Sequence, residues 1–239
     1  MEKEKCLGVE VSPYNMDEVL LQINHTITEN KKAFVVAINP EKVIKCQKDE
    51  KLKSLINSAD IKIPDGTGVV IASKLRGGKV RSRVTGIDLM KNICRVSGEM
   101  GHKVFLLGGK PNVAERAAKS LKDEIKNLDI VGIQDGYFKD DKKIIDDINA
   151  SKANIVFIAL GSPKQENWIS SNMKNINANI FMGVGGSFDV ICGDINRAPV
   201  FMQNMGLEWA YRLFKDPKRI TRLGALPKFI FKSLCYKEK

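Results

Sequence analysis

The chain repeatedly places a polar or glycine-rich turn directly after a short apolar run. The five clearest junctions are FVVAI-NPEK, IKI-PDGTG, VFLL-GGK, IVFIAL-GSPKQ and IFM-GVGGSFD. Amphipathic segments of about 10–15 residues separate the apolar runs, and strands that alternate with helices of that length are typical of an α/β fold. The pattern therefore predicts a mostly parallel sheet with helices on both faces. In such a sheet the turns at the carboxyl ends of the strands converge on one crevice, where ligands bind.

Capping residues predict where several helices begin and end. Asn39, followed by a proline, is a strong helix start, and Thr85–Asp88 begins a helix that Gly101 closes. The segment SPKQ fits a capping box, with Ser162 as the cap, proline at the first helical position and Gln165 at the third. For Ser162 and Gln165, this capping role and contact with a ligand are equally compatible with the sequence.

Composition narrows the class of protein. The 239 residues are 43% hydrophobic and 28% charged, as in ordinary folded proteins, which argues against a disordered chain. The five cysteines are scattered without C-x-x-C spacing, so they predict reduced thiols rather than disulfides or a zinc site. The chain begins without an apolar signal core and has no run of 18 apolar residues. We therefore expect a cytosolic protein whose membrane contact is peripheral.

Charge and aromatic content change near residue 195, where we place a boundary between a body (residues 1–195) and an appendage (residues 196–239). The appendage contributes +7 of the net charge of +11, with 10 Lys or Arg against 3 Asp or Glu, and holds 7 of the 16 aromatic residues. Basic stretches interleaved with aromatic residues favour phosphates, either of a nucleic acid or of a bilayer surface. The sequence predicts a helical, amphipathic appendage, whose apolar side could be hidden by self-association in solution.

Asp65 is the first candidate for chemistry. It follows a predicted strand and lies between Pro64 and Gly66, so it has little freedom and projects into the crevice. A carboxylate held there could act as a general base on a substrate hydroxyl. The alternative is an ordinary turn aspartate that caps the next helix.

Glycines follow two other strands, at Gly108-Gly109 and Gly185-Gly186, and could bring backbone amides to a phosphate. The signal is weak, because glycines at strand ends are often only turns. Neither stretch fits G-x-G-x-x-G and no phosphate-loop motif occurs, which disfavours a dinucleotide enzyme and a P-loop ATPase. Lys164, at a predicted helix start, would face an anion in the crevice.

The sequence predicts neither a metal site nor a cofactor. The two histidines, His25 and His102, stand in separate elements, and no D-x-D pair of the kind that holds a divalent ion against a nucleotide diphosphate occurs. An enzyme of nucleotide sugars would then neutralise its leaving diphosphate with Arg, Lys and backbone amides. The appendage could supply Arg212, Arg219 and Arg222.

Seven segments together resemble a known family. They are NPEK (39–42), PDGTGVV (64–70), RVTGIDL (83–89), FLLGG (105–109), GSPKQENWI (161–169), GVGGSFDVICG (183–193) and RAPVFMQNMGLEWAYRL (197–213). In this order, across nearly the whole chain, they resemble the WecG/TagA/CpsF glycosyltransferases, glycosyltransferase family 26.

The resemblance implies a Rossmann-like α/β fold of the GT-E type with a helical C-terminal appendage. It implies an inverting, metal-independent enzyme, peripheral on the inner face of the cell membrane, that helps to make a bacterial surface polymer. One branch of the family transfers N-acetylmannosamine from UDP-N-acetylmannosamine to the 4-hydroxyl of undecaprenyl-diphosphate-linked N-acetylglucosamine, in the linkage unit of wall teichoic acid. A UDP-sugar donor and a polyprenyl-diphosphate-linked acceptor are the implied partners.

By position, the resemblance implies that Asp65 is the general base on the acceptor hydroxyl. It implies that the other matched residues contact substrate or line the same pocket: Asn39, Arg83, Gln165, Arg212, Arg219 and Arg222. One position departs from the family, because Ala37 stands where members often have threonine. Any role of that hydroxyl is absent here.

Three alternatives stay open on the sequence. A nucleic-acid-binding module would use the basic appendage but leave the crevice idle, so nucleic acid is not expected as a partner. A non-catalytic sensor of nucleotide sugars would bind UDP without turnover. A family member with another donor, such as the uronic acid form of N-acetylmannosamine or glucose, would keep the same fold.

Overall fold

The computed structural model describes residues 3–215 and 225–236, without the side chains of residues 204 and 212–215. The strands are β1 (Glu4–Cys6), β2 (Val9–Val11), β3 (Ala33–Ile38), β4 (Ile61–Pro64), β5 (Lys103–Gly108), β6 (Asp129–Gln134), β7 (Ile155–Ala159) and β8 (Ile180–Gly183). The helices are α1 (Met16–Thr28), α2 (Pro40–Cys46), α3 (Glu50–Asn57), α4 (Thr67–Leu75), α5 (Gly86–Met100), α6 (Val113–Glu124), α7 (Asp141–Ser151), α8 (Lys164–Asn172), α9 (Ser187–Ile191), α10 (Val200–Asn204), α11 (Glu208–Lys215) and α12 (Ala225–Cys235).

Six strands form one sheet in the order β4-β3-β8-β7-β5-β6, and all neighbouring pairs are parallel. The predicted α/β class and parallel sheet are therefore confirmed. The strands β1 and β2 form a separate antiparallel hairpin. The strand β1 was not predicted from the sequence, because three residues are too few to show an alternating pattern.

Alternate residues of the central strands feed two apolar cores, one on each face of the sheet. Phe34, Val36 and Ile38 of β3 belong to one core, and the intervening Ala33 and Val35 belong to the other. A strand buried on both faces reads as a continuous apolar run, which is why FVVAI showed no polar alternation.

The crevice follows from the way the chain leaves two neighbouring strands. β7 leads into α8, which packs into the same core as Phe34, whereas β5 leads into α6, which packs into the opposite core. Where the chain turns to opposite faces beyond adjacent parallel strands, a crevice opens at their carboxyl ends. The glycine turns and polar turns of the sequence analysis collect along this edge.

The edge strand β4 is protected against pairing with another strand. Pro64 ends it, and the side chain of Lys62 is fully buried, with its Nζ 3.1 Å from Glu10 Oε2 and also bonded to the carbonyl of Ala59. Ser12, just after β2, donates its amide to the Lys62 carbonyl at 2.8 Å and accepts the Lys62 amide on its hydroxyl at 3.2 Å. The hairpin segment therefore occupies backbone groups that an open edge would expose.

Two segments whose sequence pattern predicts one continuous helix each, residues 40–59 and 199–214, are divided in the structure. The segment after β3 forms α2 and α3, because the Asp49 side chain accepts the Leu52 amide at 3.0 Å and starts a new helix. In the appendage, Gly206 has a φ of 72° and separates α10 from α11. The predicted start at Asn39 and the predicted helix from Thr85 to Gly101 are confirmed.

The appendage is joined to the body by α12, which packs against α2 and α4. Phe229 of α12 is fully buried in the core that contains Phe34. Among the described helices, none is both long and apolar enough to span a bilayer.

Candidate active site

Asp65 lies at the carboxyl end of β4, half-buried and directly beside the turn that follows β3. Its amide donates to the Ile38 carbonyl at 2.8 Å, and the next residue, Gly66, has a φ of 98°. Gly66 also occupies the N-cap position of α4. The alternative role of Asp65 as the cap of the following helix is therefore wrong, because the helix begins one residue too late for it.

Asn39 caps α2 as predicted, with its Oδ1 accepting the Lys42 amide at 2.9 Å. Ile38 and Pro64 are paired across β3 and β4, which places Asn39 and Asp65 side by side. A Cβ added to Gly66 would lie 3.6 Å from Pro40 Cδ, so the two turns are in contact. The structure brings the NPEK and PDG motifs into one site.

Gln165 lies over the ends of β7 and β8 and is almost fully buried. Its Oε1 accepts the Gly185 amide at 3.1 Å, and its Nε2 donates to Glu166 Oε1 at 3.2 Å. The side chain packs against Gly183, where a Cβ would collide with it. Gln165 thus connects the SPKQ turn to the GVGG turn and has a fixed orientation.

Glu166 forms a buried ion pair with Lys42 beneath this layer. Lys42 Nζ lies 2.8 Å from Glu166 Oε1, and the two side chains are 9% and 0% exposed. The other carboxylate oxygen, Oε2, has no hydrogen-bond partner among the described residues. The pair joins the NPEK motif to the GSPKQENWI motif across the space between β3 and β7, and it was not predicted from the sequence.

The predicted capping box at Ser162 is wrong. The helix α8 begins at Lys164, the preceding Pro163 occupies the N-cap position, and no side chain caps this end. Ser162 is exposed, and Gln165 is turned inward to Gly185 and Glu166 instead of back to the helix start. Lys164 is exposed at the first turn of α8.

The two glycine pairs differ in what they offer a ligand. Gly108 has a φ of 114°, and a Cβ there would collide with the backbone of Ala159, so this glycine permits close approach of β5 to β7. The Gly109 amide already donates to the Ala159 carbonyl at 2.9 Å and is not available to a phosphate. The Gly185 amide is likewise taken by Gln165, whereas Gly186 is exposed at the N-cap of α9.

The candidate residues fall into two groups along the sheet. The first group follows four adjacent strands of the sheet. In the order of the sheet, β4 is followed by Asp65, β3 by Asn39, β8 by Gly185 and β7 by Gln165. Gly108 ends β5, which is four strand positions from β4, or roughly 19 Å at the usual spacing. A small ligand could not reach both ends of this row, but an extended one could.

Arg83 is half-buried and is held by the appendage. Its Nη2 donates to Glu208 Oε2 at 3.0 Å, and its Nη1 donates to the Gln203 carbonyl at 3.2 Å. Glu208 Oε1 also lies 3.6 Å from Nε of Arg197, whose other nitrogens grip Asp88 at 2.6 and 2.8 Å. The RVTGIDL and RAPVFMQNMGLEWAYRL motifs are therefore joined by four charged side chains.

Asp88 is anchored at the start of α5. Its carboxylate accepts the Thr85 hydroxyl at 2.5 Å, and Thr85 accepts the Asp88 amide in return. Burial raises the pKa of Asp88, but the hydrogen bonds from Arg197 and Thr85 outweigh burial and lower its pKa below the ordinary value. Bonding to Asp88 raises the pKa of Arg197. Both groups are thus charged, as the ion pair requires.

For several features predicted from the sequence, the structure describes few contacts or none. Arg219 and Arg222 lie outside the described residues, and of Arg212 only the backbone, within α11, is described. Ala37 is half-buried on β3, with its Cβ 3.8 Å from where a Cβ of Gly86 would be. Within residues 3–215 and 225–236, no three His, Cys, Asp or Glu side chains are gathered as a metal site would require.

An open α/β sheet with Asp65 after one strand, Lys164 after another and Arg83 near the appendage suits transfer of a group from an anionic donor. Comparison with known proteins gives the class of protein. A model of a glycosyl transferase family matches residues 4–239. The protein is therefore a glycosyltransferase. The chain belongs to the WecG/TagA/CpsF family.

One relative is similar to this chain over most of the length of both proteins. The N-acetylglucosaminyldiphosphoundecaprenol N-acetyl-beta-D-mannosaminyltransferase of Bacillus spizizenii is 36% identical over 204 residues, which cover 85% of this chain and 79% of the relative.

Proposed function

We propose that the protein transfers N-acetylmannosamine from UDP-N-acetylmannosamine to the 4-hydroxyl of undecaprenyl-diphosphate-linked N-acetylglucosamine, in the linkage unit of wall teichoic acid. The observation that carries the proposal is the Asp65 turn, packed against the Asn39 turn in a chain similar to an enzyme named for this transfer. The row of strand-end turns suits an extended nucleotide sugar laid across the sheet.

In the proposed reaction, Asp65 removes the proton of the acceptor hydroxyl as that oxygen attacks the anomeric carbon of the donor. The bond from that carbon to the UDP oxygen breaks, and UDP leaves with the bonding electrons from the opposite face. A single displacement of this kind inverts the configuration. Asn39 and Gln165 would bind the substrates beside Asp65.

The leaving diphosphate needs positive charge, which we assign to arginine and lysine rather than to a metal ion. Arg83 lies at the contact between body and appendage, and Lys164 is exposed at the start of α8, where the helix dipole also favours an anion. Arg212, Arg219 and Arg222 would close on the same groups from the appendage. Transfer that persists in EDTA is the expected result.

The appendage is proposed to dock on the inner face of the cell membrane, where the lipid-linked acceptor resides. Phe231 and Leu234 of α12 and Trp209 of α11 are exposed, and they line an apolar groove of about 510 Å³. Exposed apolar side chains on a segment of +7 net charge favour an anionic bilayer. In solution, the same surface could be covered by self-association.

The test is transfer from UDP-N-acetylmannosamine to a short-chain lipid-diphosphate N-acetylglucosamine, in EDTA, by the wild type and Asp65→Asn. A positioned base contributes about 10²–10⁴-fold, so Asp65→Asn should nearly abolish turnover while the fold is kept. Asp135→Asn is a matched control, because Asp135 is also a half-buried carboxylate just after a strand, at the opposite edge of the sheet.

More than about a third of wild-type turnover in Asp65→Asn would contradict the role of the base, since the expected contribution is far larger. No transfer by the wild type would contradict the proposed donor. The uronic acid form and UDP-glucose would then be tested with the same acceptor. Binding of UDP without transfer from any of these donors would indicate a sensor.

A further inference from the structure

The structure leaves one buried acidic residue of the appendage without a role in the reaction as described. Glu208 is 8% exposed, although glutamate is seldom buried without a reason. It is one of only three acids among residues 196–239, against ten basic residues. A carboxylate in a segment that must attract anions weakens that attraction unless it serves another purpose.

Glu208 contacts the cation that is expected to touch substrate. Its Oε2 accepts from Arg83 Nη2 at 3.0 Å, and the two side chains are 11% and 19% exposed. The Gln203 carbonyl takes a second Arg83 hydrogen bond from the same side. Within the described residues these are the hydrogen-bond partners of the guanidinium, which has five N–H donors, so donors remain for a ligand.

Glu208 is itself held from the body. The Nε of Arg197 lies near its other carboxylate oxygen. Both terminal nitrogens of Arg197 donate hydrogen bonds to Asp88, at the capped start of α5. The charges alternate along this series, so each group restrains the next. The position of Arg83 is thus determined by α5 through the appendage, and not only by its own backbone.

We propose that Glu208 is a positioning residue, which fixes the Arg83 guanidinium so that its remaining N–H groups meet the diphosphate of the nucleotide-sugar donor. This inference rests on the proposed function. A free arginine side chain has rotamer entropy to lose, and fixing it before the donor arrives removes part of that cost from binding. The appendage therefore completes the donor site through Arg83 as well as covering it.

A double-mutant cycle tests the proposal. Glu208→Ala, Arg83→Ala and the double variant are compared by kcat, by KM for the donor, and by the dissociation constant of UDP from calorimetry. We expect Glu208→Ala to lower kcat/KM about ten-fold in the wild-type background, mainly through KM for the donor, which is a loss of about 1.4 kcal/mol. In the Arg83→Ala background, the same change should alter kcat/KM less than about two-fold.

A role of Glu208 in folding alone would reduce activity equally in both backgrounds, and that result would overturn the inference. Glu208→Gln keeps the shape and one accepting oxygen, so it should recover part of the UDP affinity. It also replaces alanine in the cycle if Glu208→Ala does not fold. Asp88→Asn is the control for the far end of the series, and it should change KM for the donor less than Glu208→Ala.

Failure of the proposed function would look different. A wild-type protein that neither transfers the sugar nor binds UDP would remove the proposed donor, and this inference with it. A wild type that binds UDP but does not transfer still allows the cycle to be measured on UDP affinity. Equal losses of affinity in the two backgrounds would then overturn the role of Glu208 alone.

Discussion

The body and the appendage treat apolar side chains in opposite ways. The body has two continuous apolar cores around the sheet and, among its described residues 3–195, exposes seven large apolar side chains. The appendage, less than a quarter as long, exposes at least six in its described part, and it contributes Phe229 to a core of the body. The body is therefore held together by apolar packing. The appendage is held to it by buried Phe229, by the partly buried Ile230 and Tyr236 beside it and by a polar network, and it exposes many of its other apolar side chains.

The largest effect should come from truncating the ring that anchors the appendage. Phe229→Ala removes a fully buried side chain from the core and should lower the free energy of unfolding by about 3–5 kcal/mol. Phe231→Ala, two residues away on the same helix but 70% exposed, should leave stability within about 0.5 kcal/mol. Thermal and denaturant unfolding of the two variants measures the contrast.

The same pair separates anchoring from docking. Phe231→Ala, and more so Phe231→Ser combined with Leu234→Ser, should weaken sedimentation with anionic phospholipid vesicles while the fold is kept. These point variants are better tests than deletion of residues 196–239, because deletion would expose the core around Phe229. Full vesicle binding by the double serine variant would contradict the docking surface.

The next contrast is between a buried and an exposed ion pair on α2, whose contributions to stability should differ. Lys42→Ala leaves Glu166 buried and unpaired, so a loss of about 3–5 kcal/mol of stability is expected. Lys45→Ala breaks the pair with Glu41 on the same helix, where the side chains are 49% and 33% exposed, and should cost less than about 1 kcal/mol. Equal losses in urea unfolding would show that burial does not govern these pairs.

A smaller effect on stability is expected when the pH is lowered, through Asp88 at the contact between body and appendage. The pKa of Asp88 is lowered in the folded state, so its contribution to stability is full above its ordinary pKa of 3.8 and is lost as the pH falls through the folded value. Asp88→Asn should therefore be less stable than the wild type at pH 7, and the difference should vanish at low pH. The side chain is 37% exposed, so water screens the pair and keeps the effect modest.

The smallest expected difference is in the reactivity of the cysteine thiols, which is measured without altering the stability of the protein. Burial raises the pKa of Cys46 to about 11 and that of Cys94 to about 12, so these body thiols should resist alkylation until the protein unfolds. Cys235 of the appendage is exposed and should react with a maleimide at once. Mass spectrometry of native protein after brief labelling would detect the difference, and rapid labelling of Cys94 would contradict the packing of the body.

The fold could be predicted from sequence where the information is local. The strands before the five turns, the cap at Asn39 and the helix closed at Gly101 all depend on a few neighbouring residues, and these predictions are confirmed. The break at Asp49 was missed because the apolar pattern continues across it, and only the new cap at Asp49 ends one helix and starts another.

The site was only partly predictable, for a physical reason. That Asp65 and Asn39 lie side by side could be predicted, because each directly follows a strand and parallel strands bring such residues together. Glu166 and Glu208 were missed because their partners lie 124 and 125 residues away, so nothing local distinguishes them from solvated acids. The capping box at Ser162 was wrong for a related reason, since Gln165 finds its partners in the GVGG turn and in buried Glu166.

The protection of the β4 edge of the sheet has a consequence for the protein at high local concentration. Molecules gathered on a surface meet at high local concentration, and an open edge strand would recruit a strand from a neighbour and seed aggregates. Here that edge, which carries Asp65, ends in Pro64, has buried Lys62 within it and is partly occupied by Ser12. The end of the sheet where we propose the active site can thus remain open to substrates without pairing with the edge strand of another molecule.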